Sequence, residues 1–426
     1  MIIHVVQSGE TINSIADKYG IPSSRLIRAN GLRNPLNLVV GQTIVIVYPK
    51  EVHIVQEGDT LESIAYDYQI TTIQLLRNNP HLLDRRGLRK GESIIISYDD
   101  EKRMDTTING YAYPYINRDV LRKNLLYLTY LSIFSYTINP DGELDDIDDN
   151  EIIDIAKSFG VAPIMVLSYI TENGTISNEI FHSILNNREI RNKLIADIYR
   201  VVRNKGYYGI NIDTPSILEE DRELYYEFIS LISEEFNKVG IKVFVTITPE
   251  SFKSEVGRTE LIDYSKISNV SDGVVLLTYS WGYAQESSIE ETPFYLIELL
   301  YQIIARQVPA EKMTVGFSNI GYIISIPYVA GETRASSISA TNVIQLARNT
   351  GAEINYNDVN LLSYFFVIDN ESDNFFVYFH DVRAVEAVFD MIYRNGFNGM
   401  AIWNIMYTIP QTFLYINVLY NIIQVL

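Results

Sequence analysis

Eight short apolar segments alternate with segments of helical periodicity between residues 107 and 426. The apolar segments, which we predict to be β-strands, cover residues 107–112, 128–136, 162–169, 209–213, 242–248, 273–279, 313–317 and 399–403. The helical segments cover residues 150–159, 179–186, 189–205, 219–238, 295–305, 339–350 and 382–395. Strands that are apolar along their whole length are typical of a parallel sheet covered by helices. We therefore predict an α/β fold, a TIM (β/α)8 barrel, whose functional residues lie at the carboxyl ends of the strands.

The interval between the seventh and eighth predicted strands, about residues 318–380, is longer than the others. It contains one helix and two β-rich runs, 362–367 and 375–379, which are separated by a polar turn. We expect an inserted β-hairpin above the barrel mouth, where it would form one wall of a cleft.

An internal repeat occupies the first 98 residues. The segment from His4 to Ile21 matches the segment from His53 to Ile70, and each copy ends in an apolar strand after a glycine. Between these parts, each copy has the spacing of two short helices. We predict two small βααβ modules at 1–49 and 50–98, a linker at 99–106 and the barrel at 107–426.

The repeat resembles the LysM module, in its V-x-x-G-[DE]-[ST]-[IL]-x-x-I-A run, the asparagine after the second helix and the closing strand. LysM modules bind N-acetylglucosamine glycans in peptidoglycan or chitin. The resemblance implies a groove between the loop before the first helix and the loop after the second. Its residues would be Gly9, Glu10, Thr11, Ile12 and Asn30 in the first copy and Gly58, Asp59, Thr60, Leu61 and Asn79 in the second. The alternative is that these residues only fold a small domain, since glycine and threonine also suit a turn and a helix cap.

Residues 107 to about 416 resemble glycoside hydrolase family 18, and most of all its bacterial spore branch, cortex-lytic N-acetylglucosaminidases with two N-terminal LysM modules. The stretches that carry the resemblance are 109–114, 127–136, 160–167, 206–213, 277–282 and 401–404. The acidic signature of the family, D-x-x-D-x-D-x-E, falls on Tyr208, Asn211, Asp213 and Pro215. The spore branch resembles this sequence at Asn211, whereas the proline replaces the catalytic glutamate.

Family 18 enzymes use the N-acetyl group of the substrate as the nucleophile. The resemblance implies that Asp213 orients this group, that Tyr279 contacts its oxygen and that Trp403 forms the floor under the sugar. Asn211 and Trp281 are further candidate glycan contacts. The position of the general acid is Pro215, which has no proton to donate, and Ser280 replaces a second carboxylate. The retained residues could instead be a strand-end cap or core aromatics, but we predict a glycan-binding barrel with little or no activity.

Three functions stay open. The first is a peptidoglycan-binding protein of the spore cortex or coat, with spore coat proteins as further partners. The second is an active cortex-degrading N-acetylglucosaminidase of germination, in which Glu219, Glu220, Asp221 or Glu250 replaces the acid. The third is a structural coat scaffold whose barrel mouth is plugged by Tyr208 and neighbouring aromatics.

The composition of the chain excludes several classes of binding partner. A net charge of -19 argues against nucleic acid and against an anionic membrane surface. The chain has no cysteine, and its five histidines show no paired spacing, so we expect neither a metal nor a cofactor. We read no secretory signal at the N-terminus and no apolar run of the ~20 residues that span a bilayer. We therefore expect synthesis in the cytosol, and the resemblance implies deposition in the spore.

Overall fold

The predicted (β/α)8 barrel is confirmed. A computed structural model describes every residue except 84, 169–177, 214–216, 249–261, 279–291, 330–332, 334 and 369–373. The barrel strands are β5 (Asp105–Ala112), β6 (Tyr130–Thr137), β7 (Ala162–Ser168), β8 (Gly209–Asp213), β9 (Lys242–Ile247), β10 (Gly273–Leu276), β11 (Met313–Ser318) and β17 (Gly399–Trp403). Neighbouring strands pair in parallel, and β17 pairs with β5 to close the sheet. The short strand β18 (Asn421–Ile422) adds to β5.

Helices cover the outside of the barrel. They are α5 (Arg118–Leu125), α6 (Asn150–Ser158), α7 (Asn178–Asn186), α8 (Arg188–Lys205), α9 (Arg222–Asn237), α10 (Tyr264–Val270), α11 (Phe294–Ile304), α13 (Val382–Asn395) and α14 (Pro410–Leu419). The sequence patterns did not reveal α5, α10 and α14. The first two are short, and α14 is buried from Thr412 to Leu419, so it lacks the polar face that produces an amphipathic period. No helix of the described residues is long and apolar enough to cross a membrane.

The insertion between β11 and β17 is larger than a hairpin. It contains β12 (Ile320–Ile326), β13 (Ser336–Ser339), α12 (Ala340–Thr350), β14 (Asn355–Asn357), β15 (Leu362–Val367) and β16 (Asn374–Phe379). The predicted hairpin is the antiparallel pair of β15 and β16, within a five-stranded sheet of order β13-β12-β16-β15-β14. Strand β12 was not among the predicted segments, and only Asn319 separates it from β11.

Both N-terminal modules have the predicted βααβ order. The first contains β1 (Ile2–Val5), α1 (Ile12–Tyr19), α2 (Ser23–Ala29) and β2 (Thr43–Ile46), and the second β3 (Pro49–Ile54), α3 (Leu61–Asp67), α4 (Thr72–Asn78) and β4 (Ser93–Tyr98). In each module the two strands pair antiparallel. Thr11 caps α1 and Thr60 caps α3, each in a reciprocal capping box with a serine three residues later.

The modules pack against the barrel rather than extending from it. The Gln411 amide of α14 donates to the carbonyl of Thr43 at 2.6 Å, and the Asn417 amide donates to the Asn78 oxygen at 2.8 Å. One continuous apolar core contains residues of both modules and of the barrel. Helix α14 therefore serves as the docking surface of the modules, a role that the sequence patterns did not indicate.

Candidate functional site

Asp213 is the last residue of β8, and it lies at the carboxyl end of the barrel. It pairs in register with Ser168 at the end of β7 and with Thr246 near the end of β9. Only 5% of Asp213 is exposed. This burial raises the pKa of its carboxyl to about 7, because ionisation inside the barrel loses the solvation of the charge.

A hydrogen-bonded cluster lies one layer below Asp213 in the barrel. Asn211 is two residues earlier on the same strand, so its side chain is on the same face. Its amide donates to the Tyr111 hydroxyl and to Thr246 Oγ1, both at 2.8 Å, and the Thr246 hydroxyl donates back at 3.0 Å. Burial, followed by the charge of Asp213, raises the pKa of Tyr111. Asn211 is thus engaged by protein groups, and its direct contact with a glycan stays a prediction.

Trp403 ends β17 and lies beneath the barrel mouth. Its ring centroid is 5.0 Å from that of Phe134 and 5.9 Å from that of Tyr113, and 7% of the residue is exposed. Tyr113 in turn stacks on Tyr115 at 5.3 Å, and Tyr115 is 75% exposed. A continuous aromatic path therefore leads from the predicted floor to the surface. The family resemblance covers residues 109–114 without marking Tyr111 or Tyr113 as site residues, and Tyr115 lies just beyond that stretch.

The insertion adds an aromatic sheet face beside the mouth. Tyr364, Phe366 and Phe376 lie with ring centroids 5.1–6.1 Å apart, and Phe366 is half exposed. Ile320 at the start of β12 packs both against this sheet's apolar cluster and against the cluster that contains Trp403. The geometry therefore suits the predicted wall of a cleft, because the aromatic face continues from the barrel mouth.

Tyr208 lies at the opposite end of the barrel from Asp213. It immediately precedes β8, and its ring is 6.2 Å from that of Tyr130 at the start of β6. Five residues of extended chain separate it from Asp213, which is about 16 Å at 3.3 Å per residue. The prediction that Tyr208 fills the barrel mouth is therefore wrong. Tyr208 precedes β8 and Asp213 ends it, so the two residues lie at opposite ends of the barrel.

The carboxylates that follow β8 differ in their surroundings. Glu219 and Glu220 are exposed in the short 3-10 helix Glu219–Asp221. Asp221 is buried, and both of its oxygens lie 2.9 Å from His182 Nδ1. Asp221 is thus held by His182 and by the Asn186 amide, which donates to it at 3.0 Å, rather than presented to a ligand.

Several predicted site residues lie outside the described part of the chain: Pro215, Glu250, Tyr279, Ser280 and Trp281. Within the described part, no group of three or more acidic or histidine side chains is arranged to hold a metal ion.

The two LysM-like loops repeat one hydrogen-bonded arrangement. Glu10 accepts from the Gln7 backbone N–H at 2.8 Å and lies 2.8 Å from His4 Nε2. In the second module Asp59 accepts from the Gln56 N–H at 2.6 Å and lies 2.8 Å from His53 Nε2. Each carboxylate therefore shapes the loop before the first helix of its module.

The asparagines of the predicted grooves are buried. The Asn30 amide donates to the carbonyls of Leu26 and Val45, at 3.1 and 2.8 Å. Asn79 makes the equivalent bonds, to Leu75 at 2.9 Å and to Ile95 at 2.7 Å. Each of these side chains ties the end of the second helix to the closing strand, which is a folding role. Their side chains are less available to a glycan than the predicted groove assumed.

The remaining groove residues divide by exposure. Ile12 is buried, and Leu61 is half-buried. Gly9, Thr11, Gly58 and Thr60 are exposed, at the tips of the loops before α1 and α3. These tips are the part of each predicted groove that a glycan could reach, and their role in binding stays a prediction.

Comparison with known proteins agrees with this architecture. Glycosyl hydrolases family 18 matches residues 124–407, and the LysM domain matches residues 4–47 and 53–97. The chain belongs to glycosyl hydrolase family 18. It is 31% identical over 431 residues to the cortical fragment-lytic enzyme of Bacillus subtilis (strain 168), covering 100% of this chain and 99% of that protein. Both LysM domains and the family 18 barrel are therefore present in the order that the sequence predicted.

Solved structures have the same fold. The spore cortex-lytic enzyme SleL of Bacillus megaterium QM B1551 has a TM-score of 0.81 and 26% identity, and the match covers 100% of this chain and 99% of SleL. A chitinase from Chromobacterium violaceum ATCC 12472 matches 74% of this chain and 98% of its own, with a TM-score of 0.65 and 18% identity. At that identity the likeness to the chitinase shows the fold alone.

Proposed function

We propose that this family 18 protein binds peptidoglycan of the spore cortex and cleaves it slowly or not at all. The LysM domains support glycan binding, and the similarity to a cortical fragment-lytic enzyme supports the cortex as the glycan source. The observation that carries the proposal is the combination of Asp213, buried at the aromatic barrel mouth, with Pro215 at the family's acid position.

The low activity follows from the chemistry of the acid step. A positioned general acid accelerates such a reaction by about 10²–10⁴-fold, and proline cannot donate a proton. Three described carboxylates follow β8: Asp221 is bound to His182, and Glu219 and Glu220 are exposed in a surface 3-10 helix. None of these three carboxylates is therefore presented as a proton donor to a glycan held above Trp403.

One observation favours a second candidate, an active N-acetylglucosaminidase that degrades cortex. The carboxyl of Asp213 has a pKa of about 7, so it carries its proton for much of the time at neutral pH. A buried carboxyl that is protonated at working pH is the usual form of a general acid. In this alternative Asp213 would supply the proton that Pro215 cannot.

Digestion of purified spore-cortex fragments, with mass spectrometry of the released muropeptides, distinguishes the two candidates. We expect native protein to sediment with the cortex and to release little or no product. Pro215→Glu restores the acid, so we expect product release to rise by about 10²-fold or more. Pro140→Glu, at an exposed loop proline, is the matched control and should behave as the native protein.

Two results would change the conclusion. Product released by native protein and abolished in Asp213→Asn would establish the active enzyme. Failure of native protein to sediment with cortex would remove the binding function. Spore localisation and contacts with spore coat proteins belong to the same proposal, and fractionation of spores with an antibody against the chain tests them.

A further inference from the structure

A cavity of about 450 Å³ lies where the two LysM domains meet the barrel. Its walls come from α2 of the first domain, from α4 and β4 of the second, and from α5 and α14 of the barrel. Asp213, Asn211 and Trp403 do not line it, so it is separate from the barrel mouth. The cavity exists only because the LysM domains are docked on the barrel.

Basic side chains converge on this cavity from three parts of the chain. They are Arg25 and Arg28 of α2, Arg77 of α4 and Lys123 of α5. None of the described residues that line the cavity is acidic. The charge of the lining is therefore opposite in sign to that of the whole chain, which has 53 acidic and 34 basic residues. Clustered charge of one sign in a concave site attracts a ligand of the opposite sign.

Arg77 is the most buried of these groups, with 5% exposed. Its Nε donates to the Leu126 carbonyl, and its Nη1 donates to the Ile422 carbonyl at 3.0 Å. Its Nη2 is buried and has no hydrogen-bond partner among the described residues. A buried guanidinium that lacks a carboxylate partner is costly, and an anion that reached Nη2 would offset that cost.

Two further observations describe the rest of the cavity. Burial and then the charge of Arg28 lower the pKa of His81, a further lining residue, whereas Glu92, 3.8 Å from His81 Nε2 and outside the lining, acts in the opposite direction. Part of the lining is aromatic, because the rings of Tyr127 and Phe413 stack at 4.7 Å with an interplanar angle of 6°, and the Tyr127 hydroxyl donates to the Arg77 carbonyl at 3.0 Å. The cavity thus combines guanidinium groups with an aromatic wall.

We propose that this junction cavity binds a compact oxyanion, a carboxylate or a phosphate, attached to a small apolar group. Guanidinium groups bind both oxyanions through charge-assisted hydrogen bonds, and the stacked rings would contact the apolar part. Carboxylates are carried by the peptide stems of peptidoglycan, and phosphate occurs free or on other polymers. The site is additional to the proposed glycan binding and does not depend on it.

Titration calorimetry on the full chain at constant ionic strength tests this proposal. The probes are inorganic phosphate, N-acetyl-alanyl-alanine with a free carboxylate, and the C-terminal amide of the same dipeptide. We expect one or both oxyanions to bind and the amide to bind at least tenfold more weakly, because it lacks the charge. Binding of phosphate alone or of the free acid alone identifies which oxyanion the site accepts.

The matched variants are two double substitutions that remove the same charge. Arg25→Gln with Arg28→Gln should weaken oxyanion binding by about tenfold or more. Arg86→Gln with Arg89→Gln, at exposed positions outside the cavity, should leave it unchanged. Arg77 is left intact because it holds two barrel carbonyls, so its loss could unfold the junction. Absence of binding of both phosphate and the free acid, measurable binding of the acid that the amide equals, or equal loss in both double variants would overturn the proposal.

Discussion

Replacing Asp213 by asparagine should make the stability of the protein less sensitive to pH. Asparagine has nearly the same shape as aspartate but does not ionise. In the folded protein, burial raises the pKa of Asp213 from 3.8 to about 7. Each pH unit between these values corresponds to about 1.4 kcal/mol, so an ionised Asp213 destabilises the fold by about 4 kcal/mol.

The direction follows from proton binding. Between about pH 4 and about pH 7 the folded protein holds the Asp213 proton, whereas the unfolded chain has released it. The contribution of this group to the free energy of unfolding therefore falls as pH rises through that window. The asparagine variant lacks this fall. Relative to native protein, its free energy of unfolding should increase by about 4 kcal/mol between about pH 4 and about pH 8.

Urea unfolding followed by circular dichroism, over the same pH range, measures this difference. Asp148→Asn is the control, because Asp148 is exposed on the same barrel and the change in charge is identical. If the Asp213→Asn and Asp148→Asn variants differ from native protein by the same pH-independent amount, the carboxyl of Asp213 is not perturbed by burial. That result would also remove the support for Asp213 as a general acid.

Two further predictions concern the LysM domains. Gly41→Ala should destabilise the protein by roughly 1–3 kcal/mol more than Gly91→Ala in chemical denaturation. Both glycines have positive φ, 84° and 82°. Only at Gly41 would an added Cβ approach a backbone atom, the Ile354 oxygen at 1.9 Å. Equal losses of stability in the two variants would mean that this contact does not form. Asp59→Asn should destabilise the protein at neutral pH, because the Gln56 N–H lowers the pKa of Asp59, and the difference from native protein should shrink below about pH 4. A difference that is constant with pH would contradict this account.

Local sequence patterns were sufficient for the order of elements. Strands such as β7 are buried on both faces and therefore read as continuous apolar runs. Helices such as α13 cover them with one apolar face, so their apolar residues recur at helical spacing. The same patterns missed α14, whose residues are buried on nearly every side. Of the five strands of the insertion they indicated only the hairpin; they missed β12 and the short strands β13 and β14, which have 4 and 3 residues.

For the candidate site, the motif located Asp213 and Trp403 but not their surroundings. Tyr111 and Thr246 lie more than a hundred residues apart in sequence and meet at Asn211 only inside the closed barrel. Asn30 and Asn79 match a glycan-binding family, yet their amides are engaged by backbone carbonyls of strands that follow many residues later. A motif specifies residue types, whereas partners across the fold decide which side chains reach a ligand.

What the sequence alone determined is the family, the two LysM domains ahead of a barrel, and the proline at the acid position. These depend on local periodicity and on residue identity. Only the tertiary structure decided that Asp213 has a raised pKa, that Tyr208 lies at the far end of the barrel, and that basic side chains converge on a junction cavity. The physical reason is that desolvation and charge clustering depend on distances between residues far apart in the chain, which packing determines.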